Sequence, residues 1–386
     1  MMPQGGPAVA AEPSVGVEPA TVLLCPVLPS DGWVSLELYY EDVRRALQAA
    51  RLSAEVQTVL PSQKTAPSRL GKQIERYLDY PSLVRRAYRA ATKPAVVHVL
   101  DQSYGHLCRS DLPTVVTCHD LALFEIHELN PLQLALWKYR VRGMRRARRV
   151  VAVSEATARD VERQLGMARA RISVSHEGVD PKFRPRNIEG RKGVHLARLA
   201  GRRGDGLLLH VGSNLRRKGI DTLLAALAVL VQEGLDVRLA KVGRDPSQDG
   251  YGGLIEELGL RDRILYLGRL DDDALVDVYN ACDVFCFPSR FEGFGRPVLE
   301  AMACGLPVVA AQSSSLPEVG GSAALFHPPG DVAALAAQVR RILTEAGLAE
   351  RMRGDGFANC RRFSWRQHGA DLIAAYRAAL AERSGG

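Results

Sequence analysis

The sequence lacks the features that mark membrane-spanning and secreted proteins. None of its apolar runs approaches the ~18 residues that a membrane-spanning helix needs. The first twenty residues carry no basic segment followed by an apolar one, which a secretory signal peptide would have. We therefore expect a cytoplasmic protein.

Cysteine usage argues against a disulfide framework and against a zinc site. Seven cysteines are an odd number, and Cys25, Cys118, Cys282 and Cys286 lie in or beside apolar, strand-like runs. Such cysteines are typically reduced core residues. Cys282 and Cys286 are too far apart for a Cys-x-x-Cys site, and no second pair accompanies them. We expect no bound metal and no cofactor.

The charge balance favours anionic partners. Lys and Arg total 51 against 43 Asp and Glu, so the net charge is +8 and the isoelectric point is near 9.2. A diphosphate, an acidic lipid surface and a nucleic acid all fit this balance. No RNA-binding aromatic motif, helix-turn-helix pattern or zinc finger is visible, so we expect no nucleic acid partner.

Apolar, strand-like runs alternate with helical patterns along most of the chain. The runs are 21–28, 54–60, 95–100, 114–118 and 150–153 in the first half, and 207–211, 237–242, 264–267, 284–287 and 307–311 in the second. This alternation is typical of parallel sheets with helices on both faces. The sequence therefore predicts an α/β protein with two doubly wound, Rossmann-like domains, which would bind ligands beyond the carboxyl ends of their strands.

A charged, glycine-bearing stretch from Pro185 to Gly206 interrupts the alternation and predicts a linker. The predicted organisation is a mobile tail (1–20), a first Rossmann-like domain (21–187), a second one (188–364) and a C-terminal helix (365–386). The tail is assigned from its richness in Pro, Gly and Ala.

The most informative motif places two carboxylates eight positions apart around a glycine-rich turn. Glu292 precedes the turn, and Glu300 lies in the first turn of the helix that follows. Gly293 and Gly295 let the backbone approach a ligand closely, and the free N–H groups of the helix start favour an anion. Pro297 suits the first turn of that helix.

The alternative is that both carboxylates are structural. Glu300 would then be the acid of a capping box, and Glu292 a solvated loop charge. A capping box needs Ser or Thr three residues before the acid, where this chain has Pro297.

A second motif follows a predicted strand and opens the next helix. The segment 211–220 contains Gly212, Ser213 and the cations Arg216, Arg217 and Lys218. Cations at a helix start oppose the helix dipole, by ~0.3–1 kcal/mol each, and a bound diphosphate would reverse that cost. An exposed basic turn is the alternative.

In the first half, the run 115–118 ends in His119 and Asp120, where a doubly wound sheet offers polar groups to a ligand. A hydrogen-bonded structural histidine and a helix-capping aspartate are the alternatives. Gly32 follows the first strand and fits either a ligand loop or a plain turn.

The stretch 138–149 contains seven Lys or Arg among twelve residues and includes Tyr139 and Met144. It fits a solvated helix face and a patch for an anionic membrane leaflet equally well. Each cation near such a surface adds ~1 kcal/mol.

The Glu292–Glu300 segment resembles the signature of retaining glycosyltransferases of the GT-B fold, in the large family 4. The resemblance runs from about residue 21 to the end. It implies two Rossmann-like domains facing a central cleft, with a C-terminal helix that returns to the first domain.

The resemblance also implies roles for individual residues. Glu292 would meet the donor sugar and Glu300 the nucleotide ribose, while Lys218 would meet the diphosphate. Ser213 stands where many members have Arg, and Arg217 offers a compensating charge. The implied catalytic pair is His119 and Glu292, and the implied donor-binding set is Gly32, Asp120, Ser213, Arg217, Lys218, Gly268, Gly293, Phe294, Gly295 and Glu300.

These features predict a retaining, metal-independent hexosyltransferase. It would use a UDP- or GDP-sugar and a saccharide or lipid-linked acceptor, in cell-surface polysaccharide or glycolipid synthesis, with a peripheral contact to the inner face of the membrane. The rival is a non-catalytic basic binding protein on a degenerate GT-B frame, which only the charge supports. A phosphorylase on the same frame is a second rival, without a clear cofactor-lysine context.

Overall fold

The computed structural model describes residues 17–31, 34–61, 68–124, 130–188, 199 and 204–382. Most of the predicted N-terminal tail and most of the predicted linker lie outside these residues, and so does Gly32.

A six-stranded parallel sheet forms the centre of the first half. Its strands are β1 (Thr21–Cys25), β2 (Glu55–Thr58), β3 (Ala95–Val99), β4 (Thr114–Cys118), β5 (Arg149–Ala152) and β6 (Ile172–Val174). Their order is β2-β1-β3-β4-β5-β6, and every neighbouring pair is parallel. The order of the strands across the sheet reverses between β1 and β3. The loops that follow these two strands therefore lead to opposite sides and leave a space between them.

A second six-stranded parallel sheet forms the centre of the second half. Its strands are β7 (Gly206–Val211), β8 (Val237–Val242), β9 (Ile264–Gly268), β10 (Val284–Phe287), β11 (Val308–Ala311) and β12 (Ala324–His327). Their order is β12-β11-β10-β7-β8-β9. This order reverses between β7 and β10, the place where a doubly wound sheet opens a crevice for a ligand.

Helices cover both faces of each sheet. In the first half they are α1 (Val34–Ala49), α2 (Arg69–Ile74), α3 (Tyr80–Ala90), α4 (Pro131–Arg142) and α5 (Glu155–Leu165). In the second half they are α6 (Ile220–Gln232), α7 (Gly252–Glu257), α8 (Asp272–Ala281), α9 (Arg296–Ala303), α10 (Leu316–Gly320), α11 (Val332–Thr344) and α12 (Leu348–Cys360), followed by α13 (Trp365–Ala381). Over the described ranges, no helix combines the length and apolarity that crossing a membrane requires.

The last helix, α13, returns to the first half. Its buried residues Leu372, Ile373 and Tyr376 pack with Tyr39 of α1 in one apolar cluster over the first sheet. The hydroxyl of Tyr376 is 2.8 Å from Nδ1 of His98 on β3. The helix thus closes one face of the first sheet, as predicted.

The predicted two-sheet architecture is confirmed, and each predicted strand is present with ends that differ by no more than three residues. The prediction missed β6 and β12. These are edge strands of three and four residues, and two residues of each are only partly buried. All seven cysteines are free, and Cys25, Cys118, Cys282 and Cys286 are buried as predicted.

Candidate functional site

Two loops meet where the second sheet reverses its order. One follows β7 and ends at Gly219, and the other follows β10 from Pro288 onward. Gly219 has φ +68°, and a Cβ there would overlap the carbonyl oxygen of Pro288. The amide of Arg290 donates to the carbonyl of Arg217 at 2.7 Å. The two loops therefore form one continuous backbone surface at the crevice.

This surface holds a carboxylate between two cations. Lys218 Nζ lies 2.6 Å from Glu292 Oε1, and Arg217 lies 3.7 Å from Oε2 of the same group. Burial alone would raise the pKa of Glu292, but the charges of Lys218 and Arg217 and the hydrogen bond from Lys218 lower it below its ordinary value. Glu292 is therefore an ionised, buried carboxylate whose partners are the cations predicted to meet a diphosphate.

The cations lie just before a helix rather than inside it. Arg216, Arg217 and Lys218 form a single 3-10 turn, and α6 begins at Ile220 after Gly219. The predicted helix is therefore present, but it begins after the cations rather than at them. The positive φ of Gly219 lets the backbone change direction between the 3-10 turn and α6.

The helix that carries the second carboxylate starts where predicted. Gly295 has φ +108° and precedes α9, and Pro297 lies in the first turn. Glu300 is the fifth residue of α9, so it lies just past the first turn rather than in it. Its Oε2 accepts a hydrogen bond of 2.9 Å from Tyr279, and burial raises its pKa. Glu292 and Glu300 thus have separate partners.

Gly293 and Phe294 join the two halves. A Cβ on Gly293 would overlap the carbonyl oxygen of His119. The Gly293 carbonyl accepts hydrogen bonds from Ser154 at 2.7 Å and Thr157 at 3.1 Å. Phe294 is buried in the apolar core of the second half. Packing alone accounts for the presence of Gly at 293 and Phe at 294. The contact of these residues with a donor stays a prediction.

His119 stands at the carboxyl end of β4 with both ring nitrogens engaged. Nδ1 is 3.2 Å from Glu177 Oε1, and Nε2 is 3.1 Å from the carbonyl oxygen of Leu100. Burial opposes protonation, but the hydrogen bond and charge of Glu177 outweigh it and raise the pKa of His119. Both neighbours are acceptors, which suits an imidazolium that donates from both nitrogens.

A cavity of about 450 Å³ lies between the halves beside His119. Its polar lining includes Asp101 and Ser103, which follow β3, and Asp120, which follows β4. Asp120 also accepts a hydrogen bond of 3.1 Å from the amide of Ala122, as predicted for a capping residue. The remaining lining residues are Ser35, Leu36, Tyr39, Gln102, Ala122, Leu123, Trp137, Glu177, Leu215, Arg217 and Arg296.

Sequence reasoning missed Asp101, Gln102 and Ser103 in this lining. Burial raises the pKa of the Asp101 carboxyl. Gln102 Oε1 accepts a hydrogen bond of 2.8 Å from the amide of His119. Ser103 Oγ is buried without a hydrogen-bond partner. A usable signal existed, because these polar residues directly follow a predicted strand at its carboxyl end.

Arg296, the first residue of α9, connects the two halves electrostatically. It lies 2.8 Å from Asp42 on α1 and 3.6 Å from Glu177. Both carboxylates are almost fully buried, with side chains 3% and 5% exposed. Burial opposes the charge of Arg296, but Glu177, Asp42 and Glu300 raise its pKa. Sequence reasoning gave Arg296 no role, because its partners are distant in the chain.

Other predicted contacts lie apart from this cluster. Ser213 is exposed in the loop after β7. Gly268 ends β9 and is exposed, with φ +71°. Its carbonyl accepts from the amide of Gly243 at 2.8 Å. In the part of the chain that the structure describes, no three His, Cys, Asp or Glu side chains cluster as metal ligands would.

Family models match both halves of the chain. Residues 197–357 match the family Glycosyl transferases group 1, and residues 16–183 match Glycosyltransferase Family 4.

Two Escherichia coli proteins show the similarity to curated relatives. The O-antigen chain mannosyltransferase B is 32% identical over 274 residues, a match that covers 68% of this chain and 70% of that protein. The serotype-specific mannosyltransferase WbdA is 27% identical over 293 residues, which cover 70% of this chain and 35% of that protein. The chain therefore spans about a third of WbdA.

Solved structures share the fold over nearly the whole chain. Sucrose-phosphate synthase from Thermosynechococcus elongatus has a TM-score of 0.72 at 22% identity, and the match covers 92% of this chain and 98% of that one. Anabaena Alr3699/HepE in complex with UDP and glucose has a TM-score of 0.68 at 20% identity, covering 92% and 99%.

Proposed function

The chain belongs to the group 1 glycosyltransferases of the GT-B fold, and from this premise we propose that it transfers a hexosyl group from a nucleoside diphosphate sugar to an acceptor hydroxyl. The acceptor would be a saccharide or a lipid-linked saccharide, and the product would enter a cell-surface polysaccharide or glycolipid. The mannosyltransferase names of its relatives place mannose first among the sugars to test.

The observation that supports this proposal is the Lys218–Glu292–Arg217 cluster. Two cations and the N-terminus of α9 converge where the second sheet reverses its order. Leaving-group stabilisation by fixed charges is often the largest catalytic contribution in group transfer. A diphosphate bound here would meet those charges as it departs.

Donor binding would exchange partners within this cluster. Glu292 forms ion pairs with Lys218 and Arg217. A diphosphate would draw both cations, and Glu292 would then be free to accept hydrogen bonds from sugar hydroxyls. A carboxylate beside the sugar ring also favours the positive charge that develops there, and His119 would help to position the sugar.

Retention and metal independence belong to the same proposal. Retention rests on the family resemblance, and the anomeric configuration of the product, read by NMR, tests it. Metal independence rests on Lys218 and Arg217, which supply positive charge where other transferases use a divalent ion. Activity that survives EDTA supports it, and loss restored by added Mg²⁺ or Mn²⁺ contradicts it.

The cavity between the halves is the proposed acceptor site. It opens beside His119 and Arg217, so an acceptor hydroxyl there would face a donor held in the crevice. Its lining combines carboxylates and hydroxyls with the apolar side chains of Leu36, Leu123 and Trp137. Sugar rings present hydroxyls at their edges and C–H groups on their faces, so a saccharide matches both kinds of surface.

One face of α4 supports a peripheral membrane contact. Leu132, Leu136 and Tyr139 are 70%, 45% and 59% exposed, and their spacing places them on one side of the helix. The exposed cations Arg142 and Arg145 lie directly beyond, and residues 129–154 contain no Asp or Glu. Apolar side chains framed by cations suit an anionic leaflet.

Vesicle co-sedimentation tests this contact. Binding to phosphatidylglycerol-containing vesicles, with little binding to neutral ones, is expected. Leu136→Gln should reduce it, whereas Val56→Gln, an exposed apolar position on β2, should not. Equal retention of both variants would contradict the assignment.

Calorimetry with a panel of GDP-mannose, UDP-glucose, UDP-galactose and UDP-N-acetylglucosamine tests the transferase proposal. We expect one donor to bind, and at ~100 times its dissociation constant it should stabilise the fold by ~2.7 kcal/mol. Transfer to a saccharide acceptor should follow with that donor. No binding by any member, together with steeply salt-dependent binding to nucleic acid, would favour the non-catalytic rival.

A further inference from the structure

A lysine that the proposed mechanism does not use lies beneath the loop that follows β7 and carries Lys218, here called the donor loop. Lys241 is on β8, and the whole residue is 1% exposed. Its Nζ donates to the carbonyl of Gly212 at 2.6 Å and to that of Val242 at 2.9 Å. Along the described residues, no carboxylate lies within ion-pair distance of this ammonium. A buried charge without an ion-pair partner is costly, so its place in the fold calls for a reason.

The contact with Gly212 fixes where the donor loop leaves the sheet. Gly212 follows β7 and begins the loop that carries Lys218. The amide of Gly212 donates to the carbonyl of Val242 at 3.2 Å, which also accepts from Lys241. Gly243 has φ +113°, and a Cβ there would overlap the Gly212 carbonyl oxygen. The ammonium and two strand ends therefore hold Gly212 through both its amide and its carbonyl group.

Several titratable or charged groups face Lys241 from the surrounding elements. They are His210 on β7, Tyr266 on β9, Lys218 in the donor loop, and Arg244, Asp245 and Asp249 after β8. Burial lowers the pKa of His210 to about 3, and burial raises the pKa of Tyr266 to about 12. Both side chains therefore stay neutral between pH 7 and pH 9.

We propose that Lys241 is a positioning residue of the donor site: its buried ammonium holds the Gly212 carbonyl, sets the path of the loop that carries Lys218, and adds positive charge behind the donor diphosphate. This inference rests on the proposed function. It adds a buried charge to the two cations that line the crevice, and it predicts a proton linkage.

The linkage follows from the environment of Lys241. Burial lowers its pKa to about 8, with the nearby charge of Lys218 acting in the same direction. A diphosphate nearby would favour the charged form, so the pKa of Lys241 would rise when the donor binds. Donor binding near pH 8 should therefore take up a proton. Below pH 7 the lysine is already charged, and uptake should vanish.

Calorimetry of the full chain in two buffers with different ionisation enthalpies measures this uptake directly. The probes are GDP-mannose and UDP-glucose, whose diphosphates do not titrate between pH 7 and pH 9. We expect wild-type protein to take up a fraction of a proton at pH 8. Its affinity for the donor should fall severalfold as the pH rises from 7 to 9, as expected for one charge at this range.

Two variants separate charge from structure. Lys241→Met keeps the length of the side chain and removes the charge, so its donor affinity at pH 7 should be about tenfold weaker and independent of pH. Lys241→Arg cannot lose its proton, so its affinity should stay near the wild-type value at pH 7 and also be independent of pH. Thermal unfolding of each variant shows whether it is folded.

The outcomes distinguish failure of the role of Lys241 from failure of the proposed function. Failure of both probes and of the other two donors in the panel to bind wild-type protein would contradict the proposed donor site and the role of Lys241 together. Donor binding without proton uptake at pH 8 would overturn the role of Lys241 alone, even if neither variant folds. Uptake that persists in folded Lys241→Met would overturn it as well.

Discussion

The second half presents its polar groups to the cleft on two short segments, whereas the first half gathers its groups from many places. In the second half, the loops after β7 and β10 hold each other through the contacts of Lys218 with Glu292 and of Arg290 with Arg217. In the first half, Tyr39 comes from α1, Asp101 follows β3 and His119 follows β4. The proposed donor face is thus a local structure, and the proposed acceptor face is a product of tertiary packing.

The first half also depends on groups from elsewhere for its electrostatics. Glu177 forms an ion pair with His119. Arg296 of the second half forms ion pairs with Glu177 and Asp42. Tyr39 contacts His368 of α13 at 3.0 Å. We infer that single substitutions should damage the donor face directly, whereas they should damage the acceptor face by loosening the contact between the halves.

The largest expected effect is the loss of Lys218. Lys218→Ala removes a cation from the proposed diphosphate site and should lower kcat/KM for transfer by about 10²- to 10³-fold. Glu292→Gln should lower it similarly, because the amide cannot replace the carboxylate beside the sugar. Steady-state kinetics with the donor identified by calorimetry provides the measurement.

Arg216→Ala is the matched control for Lys218→Ala. Arg216 belongs to the same 3-10 turn but is exposed, so its charge is screened by water and salt, and its loss should change kcat/KM by less than about threefold. Wild-type turnover in Lys218→Ala, or equal losses in both variants, would remove the donor site from these loops.

The contrast between the two halves also explains what the sequence could predict. The Glu292, Glu300 and Lys218 motifs are short and follow buried strands, so spacing and periodicity place them at one edge of the sheet. Those signals need no knowledge of tertiary contacts. The strands of both sheets were predictable for the same reason, except for the edge strands β6 and β12.

Long-range pairings were beyond such reasoning. Arg296 and Asp42 are separated by 254 positions, and no local pattern joins them. The sequence predicts that Gly293 faces a ligand, and only the packed structure adds that its missing Cβ admits the carbonyl of His119. The role of Glu177 likewise depends on both halves being in place.

Arg296→Ala should break the contact between the halves more than any exposed ion pair would. It leaves Asp42 and Glu177 buried without their shared cation, and truncating one partner of a buried ionic group costs about 3 kcal/mol or more. Urea unfolding should show the loss, and small-angle scattering should show a wider separation of the halves.

Arg290→Ala is the control for Arg296→Ala. Arg290 lies in the loop after β10, but its pair with Asp221 is exposed on both sides and stays within the second half. Its removal should cost less than about 1 kcal/mol and leave the scattering unchanged. If both arginines gave the same small loss, the halves would be held by apolar packing and backbone contacts instead.

Acid should weaken the first half before the second. Burial lowers the pKa of His98 to about 3, and of His106 and His368 to about 4, all in the first half or on α13. Among the second half's histidines, burial lowers the pKa of His210 to about 3. A lowered folded-state pKa gives stability that is complete above pH 6.5 and is lost as the pH falls toward these values. His119, with a raised pKa, acts in the opposite sense.

Hydrogen exchange by mass spectrometry at pH 6.5 and pH 5 checks this order, because it resolves the two halves in the intact chain. His98 alone should account for roughly 1–2 kcal/mol over that interval. His98→Gln should therefore flatten the pH dependence of the first half while it lowers stability at pH 7. Burial also lowers the pKa of His327, so the second half should weaken too, but less. Earlier loss of protection in the second half would contradict this ordering.

The smallest expected effect is the loss of the Glu318 charge, which joins the second half to the start of α5 in the first half. Glu318 on α10 accepts hydrogen bonds from the amides of Glu155 and Ala156, at 2.9 and 3.3 Å, at the start of α5, and it lies 2.5 Å from His176. Burial opposes its charge, but the hydrogen bonds of His176 and Glu155 lower its pKa. Its stabilisation is therefore present at neutral pH and is lost as the pH falls below the ordinary value for glutamate.

Glu318→Gln keeps the shape of the side chain and removes the charge that faces the helix start. The cost should be about 1 kcal/mol in urea unfolding at pH 7, with donor affinity unchanged. Glu350→Gln, whose pair with Arg353 is exposed, should cost less than about 0.5 kcal/mol. A fall in donor affinity in Glu318→Gln would mean that the contact of Glu318 with α5 also shapes the loops proposed to bind the donor. The two halves would then be less independent than their contacts indicate.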